Sequence, residues 1–186
     1  GLVGSEMCIR DRSDTYQVVR ISTRLGDLFV WLYKEVPVHR QYFIDLTHSG
    51  YFDDYSFNRV IEGFVAQGGC PDTPEGFAYS IHLLEPEFRP QLRHVYGTFA
   101  AGRDNNPGKL SAGCQFYVVH DANGIARLDD NYTIYGFVFS GMEVIDQIVA
   151  VETDESDEPL KTISLDINMI NMTRAEIEAS GFRIPE

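Results

Sequence analysis

Phe57-Asn58-Arg59-Val60-Ile61-Glu62-Gly63-Phe64-Val65-Ala66-Gln67-Gly68-Gly69 is the stretch on which the fold turns. It sets Arg59 and Gln67 close to two apolar side chains, Phe64 and Val65, with glycines where the backbone must turn. It reads as two short strands, Ser56 to Ile61 and Phe64 to Gln67. Working outward, the same pattern recurs. Val19, Ile21 and Thr23 alternate with more polar neighbours, and Leu25-Gly26-Asp27 turns the chain into Leu28 to Leu32, which makes a β-hairpin. Further strands are expected at Tyr96 to Ala101, Gln115 to His120 and Thr133 to Phe139, and Ile163, Leu165, Ile167 and Met169 alternate in a closing strand from Thr162 to Met172. Pro37 at a helix start and Gly50 past its end bracket a helix from Val36 to Ser49. A second helix opens at Gly141-Met142 with Val144, Ile145, Ile148 and Val149 on one face. Short strands at such spacing predict a barrel or a sandwich.

Composition narrows the classes of function. At 186 residues the chain suits one domain. No apolar run nears the roughly 18 to 20 residues that cross a bilayer, so no membrane span is expected. A net charge of −13, with 15 scattered Lys and Arg, opposes binding to nucleic acid. The acidic stretch Glu152 to Glu158 reads as a solvated loop. Cys8, Cys70 and Cys114 form neither a disulfide framework nor a zinc motif, and a Cys70–Cys114 bond would require the fold to bring their Cα atoms together. His39, His48, His82, His94 and His120 lack metal or triad spacing and are expected in core or surface roles. Residues 1–15 are expected to be a non-native leader: Gly1 to Arg12 has neither a basic start nor an apolar stretch and looks like a translated adaptor, with the native start and any export signal missing. The compartment stays open between cytoplasm and periplasm. Residues 16–173 are expected to form the domain. Residues 174–186 form a tail with a short Thr173-capped helix, Arg174 to Ser180, outside the core.

The opening stretch closely resembles the cyclophilin signature, Phe-His-Arg-hydrophobic-hydrophobic-x-Gly-Phe-x-x-Gln-Gly-Gly, departing clearly only at Asn58. Ser111 to Val118 resembles that family's Ser-Gln-Phe-aromatic strand, with Cys114 for the usual Ser. Leu128 to Gly136 resembles its Leu-Asp-Gly segment. The likeness runs over Val18 to Met172. It implies a mainly β fold, an eight-stranded antiparallel closed barrel capped by two α-helices, packed solid so that the substrate groove lies outside.

It also implies peptidyl-prolyl cis-trans isomerase activity on proline-containing polypeptide segments, by a monomer without cofactor or metal. Arg59 and Gln67 would be catalytic. Phe64, Val65, Tyr117 and Leu128 would form the proline slot, Tyr132 its rim, and Gly102, Arg103 and Gln115 would bind the peptide alongside. Gly102-Arg103-Asp104 stands for the family's Ala-Asn-Ala. Arg127 stands for a common Trp, which implies weak binding of cyclosporin, and Tyr132 replaces His as in bacterial-looking members. A second reading keeps the slot as a non-catalytic proline-binding chaperone or assembly module, told apart by whether bound peptide exchanges faster than free peptide.

Overall fold

Strand alternation sorts the side chains of this chain into an inner and an outer set, and the computed structural model, which describes residues 14–74, 77 and 81–185, shows the result. Most of the expected leader lies outside the described residues, but Thr15 already pairs with Thr173. The strands are β1 (Thr15–Thr23), β2 (Gly26–Leu32), β3 (Ser56–Ile61), β4 (Val65–Gly69), β5 (Leu83–Leu84), β6 (Thr98–Ala101), β7 (Ser111–Ala112), β8 (Gln115–Val119), β9 (Ile134–Ser140) and β10 (Asp166–Thr173). The helices are α1 (Pro37–His48), α2 (Met142–Val149) and α3 (Arg174–Glu178).

Eight strands form one antiparallel sheet in the order β10-β1-β2-β9-β6-β8-β4-β3, and β5 pairs with β7 beside it. The expected closed barrel is closed only in part. No ladder joins β3 to β10; instead the segment before β10 crosses over, with Phe57 N–H donating to the Ile163 carbonyl (2.9 Å) and Leu165 N–H to that of Tyr55 (3.0 Å).

Inside the curve, Phe43, Phe52, Phe57, Phe99, Phe116 and Tyr135 form an aromatic centre, with Phe99 stacked on Phe116 at 4.9 Å. Each such side chain contributes about 1.5–3 kcal/mol on burial. Helix α1 has no side-chain cap of its own; the Glu87 carboxylate accepts the backbone N–H groups of Val38 (3.2 Å) and His39 (2.8 Å) and closes its N-terminus. Helix α2 buries Val144, Ile145, Ile148 and Val149, the face its sequence marks.

Two expectations gain detail. The tail lies outside the main core, as expected, but packs an apolar cluster of its own: α3, held by reciprocal Thr173 and Glu176 caps, buries Ile177 completely, and Ile184 joins it against Val18, Trp31 and Phe139. A second apolar cluster therefore lies on the outer face of β1, β2 and β9, with Phe182 stacked on Phe137 (5.7 Å) and Phe139 (5.6 Å). And Cys70 and Cys114 are disulfide-bonded, with Cα atoms 5.4 Å apart. The pairing of Gly69 with Gln115 brings the ends of β4 and β8 together, and Cys70 N–H donates to the Cys114 carbonyl at 2.9 Å. A crosslink over a separation of 44 residues contributes about 2–4 kcal/mol.

Candidate functional site

Strict alternation along β3 would send Phe57 and Arg59 to the same face. Phe57 is in the core, yet Arg59 lines the outer groove, because the register between them shifts at Asn58. This bulge re-aims the guanidinium. The Asn58 amide holds the distortion in place, donating to the Gly69 carbonyl (2.8 Å) and accepting from Gln67 Nε2 (3.0 Å). Past the bulge, Arg59 stands opposite Gln67 in the β3–β4 register, so the two side chains are direct cross-strand neighbours.

On β8 alternation is regular: Phe116 and Val118 point into the core, while Gln115 and Tyr117 face outward with Gln67 and Val65 of β4. The outcome is a groove of about 380 Å³ lined by every residue expected from the sequence: Arg59, Phe64, Val65, Gln67, Gly102, Arg103, Gln115, Tyr117, Leu128 and Tyr132. Asp72, Phe77, Asp104 and Arg127 also line it; the resemblance points to the neighbourhood of Asp104 and Arg127, while nothing in the sequence points to Asp72 or Phe77. Asp72 follows the disulfide by two residues, and only the long-range pairing of β4 with β8 shows where it goes.

Polar ties fix the groove's shape. Gln67 Nε2 donates to Asn58 and to Asp72 (3.3 Å), which leaves its carbonyl oxygen as the group able to accept a hydrogen bond. Gln115 Nε2 donates to the Cys70 carbonyl (2.9 Å) and to Asp72 (2.8 Å). A Cβ on residue 102 would stand 1.8 Å from Gln115 Oε1, so Gly102 is what lets Gln115 lie there. Among the described residues no carboxylate pairs with Arg59, and its five N–H donors remain for a ligand.

The floor is pinned from behind. Asp129 accepts from His94 Nδ1–H (2.9 Å), so Nε2 carries the lone pair that accepts the Tyr117 hydroxyl (2.7 Å). Burial pushes the Tyr117 phenol well above its usual value and keeps it a donor. A similar relay joins Ser111, His39 and Glu87, with His39 Nε2 to Ser111 Oγ at 2.9 Å and Nδ1 to Glu87 Oε1 at 2.7 Å. It has the form of a nucleophile, base and acid, but Ser111 is 0% exposed, so no substrate reaches it. Its work is to tie α1, β7 and the Glu87 loop together.

Both imidazoles are held below their ordinary value near 6.5, by burial first, with the neighbouring carboxylates Glu87 and Asp129 pulling the other way. Because the folded values are the lower ones, the unfolded chain takes up these protons first. Stability is therefore full above about pH 6.5 and declines as pH falls below it, by up to about 1.4 kcal/mol per pH unit for each imidazole. Urea midpoints measured from about pH 7.5 down to about pH 5 are expected to fall, and His39→Gln with His94→Gln is expected to flatten the profile. A profile equally steep in the double variant would reject the assignment.

Compared with known proteins, residues 18–169 match the family model described as cyclophilin type peptidyl-prolyl cis-trans isomerase/CLD. The peptidyl-prolyl cis-trans isomerase CYP18-2 of Arabidopsis thaliana is 31% identical over 79% of this chain and 89% of its own length. A peptidyl-prolyl cis-trans isomerase of Acinetobacter baylyi is 30% identical over 84% and 88%. CYP71 of Arabidopsis thaliana is 34% identical over 83% of this chain, which spans 24% of that longer protein. Plant and bacterial relatives thus match alike, and the bacterial type expected from Tyr132 is not singled out. Among solved structures, a cyclophilin type peptidyl-prolyl cis-trans isomerase of Cryptosporidium parvum, crystallised in the presence of the dipeptide Ala-Pro, superposes with a TM-score of 0.70 at 28% identity, covering 81% of this chain and 96% of that one.

Proposed function

The chain belongs to the cyclophilin-type peptidyl-prolyl cis-trans isomerases, and from that premise we infer that it accelerates rotation about Xaa-Pro bonds by holding the twisted amide under Arg59. Rotation must break amide resonance against a barrier of about 18–20 kcal/mol, and no bond is made or cleaved. A site for this reaction needs no nucleophile; it needs tighter binding of the non-planar amide than of either planar isomer. Twisting frees the lone pair of the prolyl nitrogen, and a forked, permanently charged guanidinium donates to it while its other N–H groups hold the carbonyl oxygen.

Phe64, Val65, Tyr117 and Leu128 take the pyrrolidine ring, with Tyr132 at the rim, and the free carbonyl oxygen of Gln67 accepts from Arg59 or from the substrate backbone. Gly102, Arg103 and Gln115 flank the peptide. The observation that carries this reading is the convergence of Arg59, Gln67 and the apolar slot on one groove. The binding of proline-containing segments is supported by the neighbour crystallised with Ala-Pro.

Exchange spectroscopy on an Xaa-Pro peptide, with no protease present, tests the reading. Cis–trans exchange many times faster than in free peptide supports it; binding with unaltered exchange would make the chain a proline-binding module instead. Arg127 replaces an aromatic wall of the slot, so cyclosporin is expected to bind weakly, and Arg127→Trp to tighten it roughly tenfold in a calorimetric titration. Equal affinity of the two proteins would count against that placement of Arg127.

A further inference from the structure

The groove is electrically asymmetric along its length. In the β4–β8 register its outward residues run from Gly69 with Gln115, through Gln67 with Tyr117, to Val65 with Val119. Asp72 sits at the Gln115 end, where its Oδ1 accepts from both Gln115 (2.8 Å) and Gln67 (3.3 Å). Phe64 sits at the other end, next to Val65, and the Arg127 guanidinium lies 5.4 Å from its ring centroid. Four residues of strand, about 13 Å, separate the two ends. Arg59 stands between them, opposite Gln67.

The basic lining is not a by-product of composition, nor is it confined to one end: Arg103 follows Gly102, whose N–H donates to the Gln115 carbonyl (3.1 Å), and so lies toward the Asp72 end, which leaves Arg127 as the cation of the Phe64 end. The chain has 15 Lys and Arg against 28 Asp and Glu, yet three arginines, Arg59, Arg103 and Arg127, face two aspartates in this groove. Arg103 lies 4.4 Å over the Tyr132 ring and donates to the backbone carbonyls of Asn131 (2.6 Å) and Asp104 (2.8 Å), and among the described residues it carries no ion pair. Arg127 is exposed and carries no ion pair among the described residues. The aspartates are differently placed: Asp72 is tied by two amides, and Asp104 Oδ1 accepts from Asn106 Nδ2 at 2.9 Å. A guanidinium stacked on an aromatic face keeps its N–H edge for an acceptor. The net charge of −13 does not cancel this, because carboxylates more than about 8 Å away are screened at physiological salt while contacts in the groove are not.

We propose that the groove selects proline segments carrying an acidic side chain on one side of the proline, the side that lies at the Phe64–Arg127 end, and not on the Asp72 side. This rests on the isomerase reading of the same site. The plain competitor is that the Arg127 stem only covers the Phe64 ring.

Two pairs of peptides separate these, with Glu or Gln immediately before the proline in one pair and immediately after it in the other. Exchange rates per enzyme are compared within each pair, so any general change in activity cancels. At one position, Glu is expected to exchange roughly fivefold faster than Gln, the worth of one contact between unit charges in a water-like surrounding. Arg127→Gln is expected to bring that ratio to about one, and about 1 M salt to shrink it. A ratio of one at both positions, an equal preference at both, or a preference that survives Arg127→Gln would overturn the proposal. If the isomerase reading itself is wrong, no peptide of the four exchanges faster than it does free, which is a different result from fast exchange without preference.

Discussion

Arg59→Ala is expected to lower kcat/KM for Xaa-Pro exchange roughly a hundredfold or more, while peptide affinity changes only a few-fold. The asymmetry follows from where the guanidinium acts. A planar amide has no free lone pair on nitrogen, so the strongest donation from Arg59 exists only in the twisted state, and an interaction confined to the transition state moves kcat rather than binding. Removing one preorganised donor of this kind costs about 2.7–4 kcal/mol. The slot of Phe64, Val65, Tyr117 and Leu128 is untouched by the change and continues to hold proline. Arg59→Lys keeps the charge and loses the fork, and is expected to recover little. Exchange spectroscopy with a parallel binding titration measures both quantities. A loss below about fivefold in Arg59→Ala, with the melting temperature unchanged, would remove Arg59 from the centre of the mechanism.

Gly69→Ala is expected to lower the melting temperature by roughly 10 °C. Gly69 has φ of +91°, a region costly for any residue with a Cβ, and a Cβ there would meet the Cys114 carbonyl oxygen at 2.2 Å. The obstacle is backbone, and it is locked to Cys70 by both a hydrogen bond and the disulfide, so neither strand has room to retreat. Gly63→Ala serves as the internal comparison. It has φ of +75° but nothing within 4 Å of the added carbon, so it reports the backbone strain alone, about 1 kcal/mol. Equal melting temperatures for the two variants would show that the β4–β8 junction yields more easily than its geometry implies. The larger loss should come with weaker exchange activity, since Gln67 and Gln115 flank the same junction.

How much of this was legible depended on how local each cause is. Phe116 inward and Tyr117 outward follow from alternation within five residues, and the buried face of α2 follows from its own spacing. The groove residues were legible only because they fall within three short segments whose resemblance to a family is strong. The bulge at Asn58 was not legible, because an inserted residue leaves no mark in composition and is seen only against the partner strand. Glu87 as the cap of α1 lies 49 residues from Val38, and the cap position itself is filled by Val36, which gives no signal. Asp72 and the disulfide both depend on the juxtaposition of β4 and β8, and the apolar runs Leu28 to Leu32 and Phe137 to Phe139 mark a sheet covered on both faces without saying that the tail is what covers it.

The docking of the tail has a practical side for anyone who follows the molecule by light. Trp31 is the chain's one tryptophan, 4% exposed, with its ring 5.8 Å from that of Tyr16 and 6.1 Å from that of Phe182. It lies on β2, separated from β8 by the two strands β9 and β6, on the side where the C-terminal residues settle. Its emission therefore reports whether the chain's end is seated, and a peptide entering the groove passes unseen by that fluorophore.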